Sequence, residues 1–175
     1  DVLYYDSVRI NLGLFQHDVN VLWDLAVHDL SILDHVLGSP VTAVSALGFR
    51  HLKDQPENLA YLTLKLKSGA VAHIHVNWLA PVKIRRTVIG GTRRMVVYDD
   101  IEPSEKVKVF DSGADLVRDE ASVHKMLVSY RVGEMRAPRL DLTEALHTEA
   151  QHFLTCIREG TTPLTDGRAG RRIVA

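Results

Sequence analysis

LAYLTLKLKSGAVAHIHVNW, residues 59–78, decides the fold class of this chain. Apolar and polar residues alternate through both halves of the stretch, which places one side-chain type on each face of a strand. One face of the first half carries Leu62, Leu64 and Leu66, and one face of the second half carries Ala72, Ile74, Val76 and Trp78. The pair Ser68-Gly69 stands between the two runs, where a tight turn is required. The stretch therefore predicts a hairpin with one buried face.

The two-residue period continues on both sides of this hairpin. Further strand-like runs cover residues 2–11, 41–52, 83–90, 93–100 and 105–110. The pair Gly90-Gly91 predicts the turn of a second hairpin. Short strands that follow one another through tight turns indicate a meander covered on one face by helices. We therefore predict an α+β fold with an open, mainly antiparallel β-sheet and helices packed on one face.

Two segments have a helical period instead. WDLAVHDLSILDHVLG, residues 23–38, places its apolar residues on one side of a helix that ends at Gly38. A second helix is predicted from Asp141, which with Glu144 forms a capping box, to Gly160. Its buried face is predicted to hold Leu142, Leu146, Ala150, Phe153, Leu154 and Ile157. The charged residues 111–139 between the sheet and this helix are predicted to be a functional arm or an oligomer contact.

Composition excludes several classes of protein. The 175 residues have a net charge of −1 and contain one cysteine, Cys156. A basic surface for nucleic acid and a disulfide framework are therefore not expected. No apolar run has the length of a membrane span, and residues 1–10 do not have the pattern of a secretory signal. We expect a cytoplasmic protein that binds neither nucleic acid nor membrane. Both ends have the pattern of an interrupted element, which predicts a piece of a longer protein.

The helix of residues 23–38 also contains the candidate chemistry. Asp24 lies one turn before His28, and a carboxylate in that position can hold the tautomer of an imidazole and favour its protonated form. An exposed helix pair with no chemical role is the alternative. Asp29 lies in the middle of the apolar side, where an unpaired carboxylate is costly. It must therefore meet a partner or a helix N-terminus, or the helix end must open to a cleft. This break in the pattern favours a functional site at the start of the helix.

Other polar residues have two interpretations each. Arg9, Asn11 and Asn20 flank the loop before the helix, where they either line a cleft beside His28 or stabilise the loop. Arginine in such a cleft suits a phosphate or carboxylate group. His73 and His75 share one face of a strand, which favours a polar sheet face over a zinc site, and we predict no metal. Arg85 and its neighbours near the second hairpin are predicted to be a solvated edge.

Three segments together resemble one family. WDLAVHDLSILDHVLG is similar to the central motif of the glucose-fructose oxidoreductase, inositol dehydrogenase and rhizopine catabolism (Gfo/Idh/MocA) family. In that family an aspartate and, four residues later, a histidine open a helix. LTLKLKSGAVAHIHVNW resembles the family's strand, Ser-Gly turn and strand. EALHTEAQHFLTCIREGTTPLTDGRAG resembles its last helix and ending. The three occur in the family's order along most of the chain.

The resemblance implies a fold and a function. The chain would be the C-terminal substrate domain, with the fold of the dihydrodipicolinate reductase C-terminal domain. Its expected reaction is hydride transfer between NAD or NADP and a hydroxyl of a sugar, inositol or nucleotide sugar. His28 and Asp24 would be catalytic. From their position beside the helix start, and not from the resemblance, Arg9, Asn11 and Asn20 are predicted to bind substrate. Residues 1–175 would form one substrate-binding and oligomerisation domain, with residues 141–175 docking on a dinucleotide-binding domain.

Two departures from the family pattern limit what this chain does alone. It has neither the G-x-G-x-x-G turn of a dinucleotide-binding domain nor the family's Glu-Lys-Pro motif. We therefore expect no cofactor on the chain itself, no activity without its own Rossmann domain, and a homo-oligomer built through the open sheet face. RINLGLFQHDVN most resembles members of nucleotide-sugar metabolism. A non-catalytic oligomerisation or ligand-binding module is the first alternative, and a zinc hydrolase using His28, His73 and His75 is the second.

Overall fold

A computed structural model describes residues 1–13, 16–111, 114–115, 129–130, 133–141 and 143–174. The chain divides into two units, Asp1–Pro138 and Arg139–Ala175. Most of the predicted arm at 111–139 lies outside the described residues. Within the described ranges, no helix has both the length and the apolar character needed to cross a membrane.

The first unit is built on a mixed β-sheet. Its strands are β1 (Val2–Leu12), β2 (Val41–Phe49), β3 (Leu59–Leu66), β4 (Val71–Asn77), β5 (Leu79–Gly91), β6 (Met95–Asp99), β7 (Val107–Phe110), β8 (Ala114–Asp115), β9 (Ser129–Tyr130) and β10 (Met135–Arg136). Eight of them form one sheet in the order β10-β7-β6-β5-β1-β4-β3-β2, and β8 pairs with β9 separately. The predicted α+β class with an open, mainly antiparallel sheet is confirmed.

The position of β1 differs from a simple meander. This strand lies between β4 and β5, parallel to β4 and antiparallel to β5. The first strand of the chain is therefore the centre of the sheet, and both of its edges are paired. Its side chains alternate, so that Tyr5, Ser7 and Arg9 are buried on one face while Asp6 lies on the other.

One face of the sheet carries the core. The leucines predicted to share a face of β3 are buried, and so are Ala72, Ile74, Val76 and Trp78 along and just after β4. They pack with Leu25, Ala26 and Leu33 of the covering helix in one cluster. The other face is open and includes exposed Leu47, Phe49 and Val71. The edge strand β2 is exposed along its whole length.

The covering helix begins with a wide turn. Residues Leu22–Ala26 form a π-helical turn, and α1 (Val27–Leu37) continues from it. Gly38 ends α1 with a φ of 55°, a left-handed conformation that glycine adopts without a Cβ clash. The predicted helix and its glycine stop are confirmed, but its first turn is not the α-helical turn that the period predicted.

The second hairpin turns later than predicted. Gly90 and Gly91 are the last residues of β5, and the chain reverses at residues 92–94. The reason for a glycine at 90 is a close approach, because a Cβ there would collide with the ring of Tyr4. The predicted turn at Gly90-Gly91 is therefore wrong, and these glycines leave space for a neighbouring strand.

The second unit holds two helices, α2 (Ala145–Glu159) and α3 (Gly167–Val174). The capping box predicted at Asp141 is wrong, because Glu144 is the N-cap and accepts from the backbone N–H of His147. The predicted buried face is also wrong in the described residues. Leu146, Phe153, Leu154 and Ile157 are exposed, while Cys156 is buried, and Leu142 lies outside the described residues.

Candidate functional site

Asn20 organises the start of the covering helix. Its side-chain oxygen accepts hydrogen bonds from the backbone N–H groups of Leu22, at 3.1 Å, and Trp23, at 3.3 Å. These donors have no partner within a helix, and Asn20 supplies one. The oxygen of Asn20 thus supports the π-helical turn, and contact of Asn20 with substrate stays a prediction. Such turns occur frequently at functional sites.

Asp24 points from this turn into the sheet. Its Oδ2 accepts a 2.8 Å hydrogen bond from Nε1 of Trp78, whose side chain is buried. Asp24 and His28 both belong to the described residues, and they share no hydrogen bond. The carboxylate predicted to hold the imidazole tautomer is thus held by an indole, and it acts on His28 only through its charge.

Asp29 has the partner that the sequence required. Arg9 donates to it from Nε to Oδ2 at 2.6 Å and from Nη2 to Oδ1 at 3.4 Å. Ser7 donates from Oγ to Oδ1 at 2.5 Å, and the hydroxyl of Tyr5 donates to the backbone oxygen of Asp29 at 3.2 Å. Asp29 is only 2% exposed. The prediction of a partner for this carboxylate is confirmed, and Arg9 is engaged in a buried ion pair beneath the helix.

The surroundings of Asp29 also act on a phenol. Burial, followed by the negative charge of Asp29, raises the pKa of Tyr5 to about 12. Tyr5 therefore stays protonated and remains a donor to the helix backbone over the physiological pH range.

His28 lies next to this ion pair, on the exposed side of α1. Loss of solvent around the ring lowers its pKa first, and the positive charges of Arg9 and Arg85 lower it further. The carboxylates of Asp29 and Asp24 act in the opposite direction but do not cancel the shift. The imidazole is therefore neutral near pH 7, which is the form that accepts a proton.

Asn11 lies at the end of β1 near the same indole. A Cβ built on Gly13 would lie 3.1 Å from Cδ1 of Trp78 and 3.2 Å from Nδ2 of Asn11. The structure thus brings Asn11 and Trp78 together, and Trp78 holds Asp24. Of the predicted site residues, Arg9, Asp24 and His28 form one group beneath and beside the helix start, and Asn11 borders it.

Arg85 is a residue that the sequence interpretation missed. It was predicted to be part of a solvated hairpin edge, but it is half-buried and its Nη1 lies 3.3 Å from Oδ2 of Asp100. Burial acts to raise the pKa of Asp100, but hydrogen bonds from Tyr98, Arg85 and Lys106 together lower it. The alternation of side chains along β5 was the signal that could have revealed this position. It places Arg85 on the same face of the sheet as Arg9, its partner in β1.

The three histidines of the zinc alternative do not converge. His73 and His75 alternate with the buried core residues of β4 and therefore face away from α1, which carries His28. His75 stacks on Tyr61, with ring centroids 4.5 Å apart. No group of three potential metal ligands occurs among the residues that the structure describes. A shared zinc site of these histidines is therefore wrong, because the sheet separates them.

A polar cavity of about 620 Å³ adjoins the start of the helix. The segment 17–20 and Trp23 form one wall, and the loop 50–57 contributes the other. Of the predicted site residues, Asn20 lines this cavity, whereas His28 and Arg9 do not. The cavity therefore borders the candidate site without containing the histidine.

The comparisons agree with this architecture. The family model of the GFO/IDH/MocA C-terminal domain matches residues 15–97. The UDP-N-acetylglucosamine 3-dehydrogenase of Acidithiobacillus ferrooxidans is 26% identical over 158 residues, which are 90% of this chain and 46% of that protein. The chain spans about half the length of the curated relative that it matches.

Solved structures share the fold of this chain. The UDP-N-acetylglucosamine 3-dehydrogenase GnnA from Acidithiobacillus ferrooxidans has a TM-score of 0.79 at 24% identity, covering 99% of this chain and 51% of that one. The WlbA dehydrogenase from Bordetella pertussis, in complex with NADH and UDP-GlcNAcA, has a TM-score of 0.68 at 17% identity. The matched region covers 99% of this chain and 49% of the WlbA chain. At these identities the likeness shows the fold alone.

Proposed function

We propose that this chain is the substrate-binding part of an NAD- or NADP-dependent dehydrogenase that acts on a hydroxyl group of a sugar or nucleotide sugar. The main support for this proposal is the environment of His28, whose neutral and accessible imidazole lies next to a buried ion pair. Support comes from the 26% identical relative, whose name describes a nucleotide-sugar dehydrogenase.

His28 has the chemistry that the proposal requires. Oxidation of a secondary alcohol removes a hydride from carbon and a proton from oxygen, and a neutral imidazole accepts the proton. In the reverse direction the imidazolium returns it. Asp24 and Asn11 border the group and are proposed to contact substrate hydroxyls. Asp24 has its Oδ2 on Trp78 and a second carboxylate oxygen for this purpose.

The described residues do not fit a dinucleotide. They contain no strand-helix-strand unit opened by a glycine-rich turn, which is the arrangement that binds its pyrophosphate. The nicotinamide supplies the hydride chemistry, and we propose that a separate Rossmann domain binds it. On this proposal the 175 residues alone are inactive.

Two further parts of the proposal concern surfaces. The exposed apolar residues of α2, such as Phe153 and Ile157, are proposed to dock on the dinucleotide-binding domain. The open sheet face, with exposed Leu47, Phe49 and Val71, is proposed to pair with a second copy of the chain, because bare apolar sheet faces favour association. A cytoplasmic location belongs to the same proposal and rests on the lone, unpaired Cys156.

The test is a His28→Ala substitution in the protein that joins this chain to a dinucleotide-binding domain. Loss of a general base lowers kcat by about 10²- to 10⁴-fold. The dissociation constant of the nicotinamide cofactor, measured by fluorescence titration, should not change. His35→Ala is the matched control, because His35 is also exposed on α1. Wild-type kcat in the His28→Ala protein would reject the assignment and favour a non-catalytic ligand-binding module.

A further inference from the structure

Arg9 and Arg85 lie side by side on the face of the sheet beneath the helix. The two residues are direct partners in the register of β1 and β5, so their side chains leave the sheet on the same face. Arg9 is bonded to Asp29, the residue that follows His28. Two guanidinium groups therefore lie under the start of α1, and they differ in their ion-pair partners.

Arg9 is committed to the fold. Its side chain is 10% exposed and donates twice to Asp29, which is itself buried. Moving Arg9 onto a ligand would leave a buried carboxylate without its cation, which is strongly unfavourable. The anion-binding role predicted for Arg9 is therefore in conflict with its place in the structure.

Arg85 is free of that constraint. Its side chain is 34% exposed and has one ion pair, at 3.3 Å from Asp100. Its Nε is buried and has no hydrogen-bond partner among the described residues. A buried donor of this kind calls for an acceptor, since nearly all such groups in folded proteins have one.

Asp100 does not depend on Arg85. Tyr98 donates to its Oδ1 at 2.9 Å, and Nζ of Lys106 lies 3.4 Å from the same oxygen. When Arg85 turns to a ligand, the carboxylate therefore keeps a hydroxyl donor and a cation. Leaving the ion pair for a ligand is therefore strongly unfavourable for Arg9 and much less unfavourable for Arg85.

We propose that Arg85 is the anion-binding residue beside His28 and that it holds a phosphate or carboxylate group of the substrate. A guanidinium offers parallel N–H donors that match the two oxygens of such a group. Only the statement that the anion belongs to a substrate rests on the proposed function. The anion site itself rests on the geometry of Arg85.

The experiment is calorimetric titration of the 175-residue chain with UDP, uridine and glucuronate. The variants are Arg85→Gln, Arg85→Lys and the matched control Arg86→Gln, since Arg86 is the next residue of β5 and leaves the opposite face of the sheet. Circular dichroism melting shows that each variant is folded. Loss of a charge-assisted bond weakens anion binding roughly tenfold to hundredfold in Arg85→Gln. Arg85→Lys keeps the charge without the paired donors and should recover part of the affinity.

The ligands separate the sources of the anion. Dependence on Arg85 for UDP, but not for uridine, identifies a phosphate, and dependence for glucuronate identifies a carboxylate. The proposal is overturned if the wild-type chain binds neither anion, if Arg85→Gln binds both like wild type, or if Arg86→Gln loses as much affinity. Anion binding that requires Arg85, in a protein whose turnover ignores His28, would reject the proposed function and retain this site.

Discussion

Nε of Arg9, in the central strand, lies 2.6 Å from Oδ2 of Asp29 in the helix that covers the sheet. The two side chains are 10% and 2% exposed, so the ion pair is inside the protein. It joins the helix to the sheet one residue away from His28. The position of the candidate base therefore depends on a contact between two elements that are not adjacent in the sequence.

Breaking this ion pair from one side should destabilise the protein strongly. Asp29→Ala leaves Arg9 buried without a counter-charge, and the expected loss is about 3–5 kcal/mol in the free energy of unfolding. The double variant Arg9→Met/Asp29→Leu removes both charges and should recover most of that loss. Urea unfolding measures both. Equal losses in the single and double variants would show that the pair is not what holds the helix.

Removing the charge of Arg9 should raise the pKa of His28. Arg9 lowers this pKa, so Arg9→Gln removes one of the two cations near His28 while the carboxylates of Asp29 and Asp24, which raise the pKa, remain. Titration of the His28 ring by NMR measures the shift. Arg86→Gln, on the opposite face of the sheet, should leave the pKa unchanged. A pKa that falls or stays constant in Arg9→Gln contradicts the arrangement of charges around His28.

Stability should decrease as the pH falls below about 6.5. Burial lowers the pKa of both His28 and His75 from their ordinary value of 6.5. The unfolded chain then binds these protons at a higher pH than the folded chain, so protonation favours unfolding. The urea midpoint should be lower at pH 5 than at pH 7.5. The difference should be smaller in a His28→Gln/His75→Gln variant, and an undiminished difference would assign the effect to other groups.

The bond between Trp78 and Asp24 gives a test that separates structure from chemistry. Asp24→Ala removes the acceptor of the indole N–H and should cost about 1.5 kcal/mol of stability. Asp24→Asn keeps an acceptor and should restore most of that stability. If the charge of Asp24 serves the reaction, kcat of the dehydrogenase stays low in Asp24→Asn. Wild-type kcat in that variant would reduce Asp24 to an anchor for Trp78.

A charge on the open sheet face should prevent self-association. Ile84 is paired with Ile10 on that face and is 36% exposed. Ile84→Lys places a cation in the proposed interface, and light scattering should then give the mass of a single copy. Val36→Lys, on the exposed side of α1, is the control and should keep the wild-type mass. A wild-type protein with the mass of one chain would reject the interface.

Local pattern alone predicted most of the elements. The period of two residues located β3 and β4, and the glycine at 38 located the end of α1, because both signals depend only on neighbouring residues. Asp29 was recognised as a residue in need of a partner for the same reason, since an ionised group on an apolar helix face is costly wherever the helix packs. The histidine at 28 followed from its spacing and from the family resemblance.

What the tertiary structure decided is the set of contacts between distant parts of the chain. The hydrophobic period of the strands does not reveal that β1 lies between β4 and β5, because strand order depends on long-range pairing. That insertion places Arg85 beside Arg9 and brings Arg9 beneath the helix that carries Asp29. The sequence by itself determined which residues form strands and helices and which carboxylate could not stay unpaired on an apolar helix face. Only the folded sheet determined that Arg9 pairs with the carboxylate of Asp29, because the order of the strands depends on hydrogen bonds that no local pattern encodes.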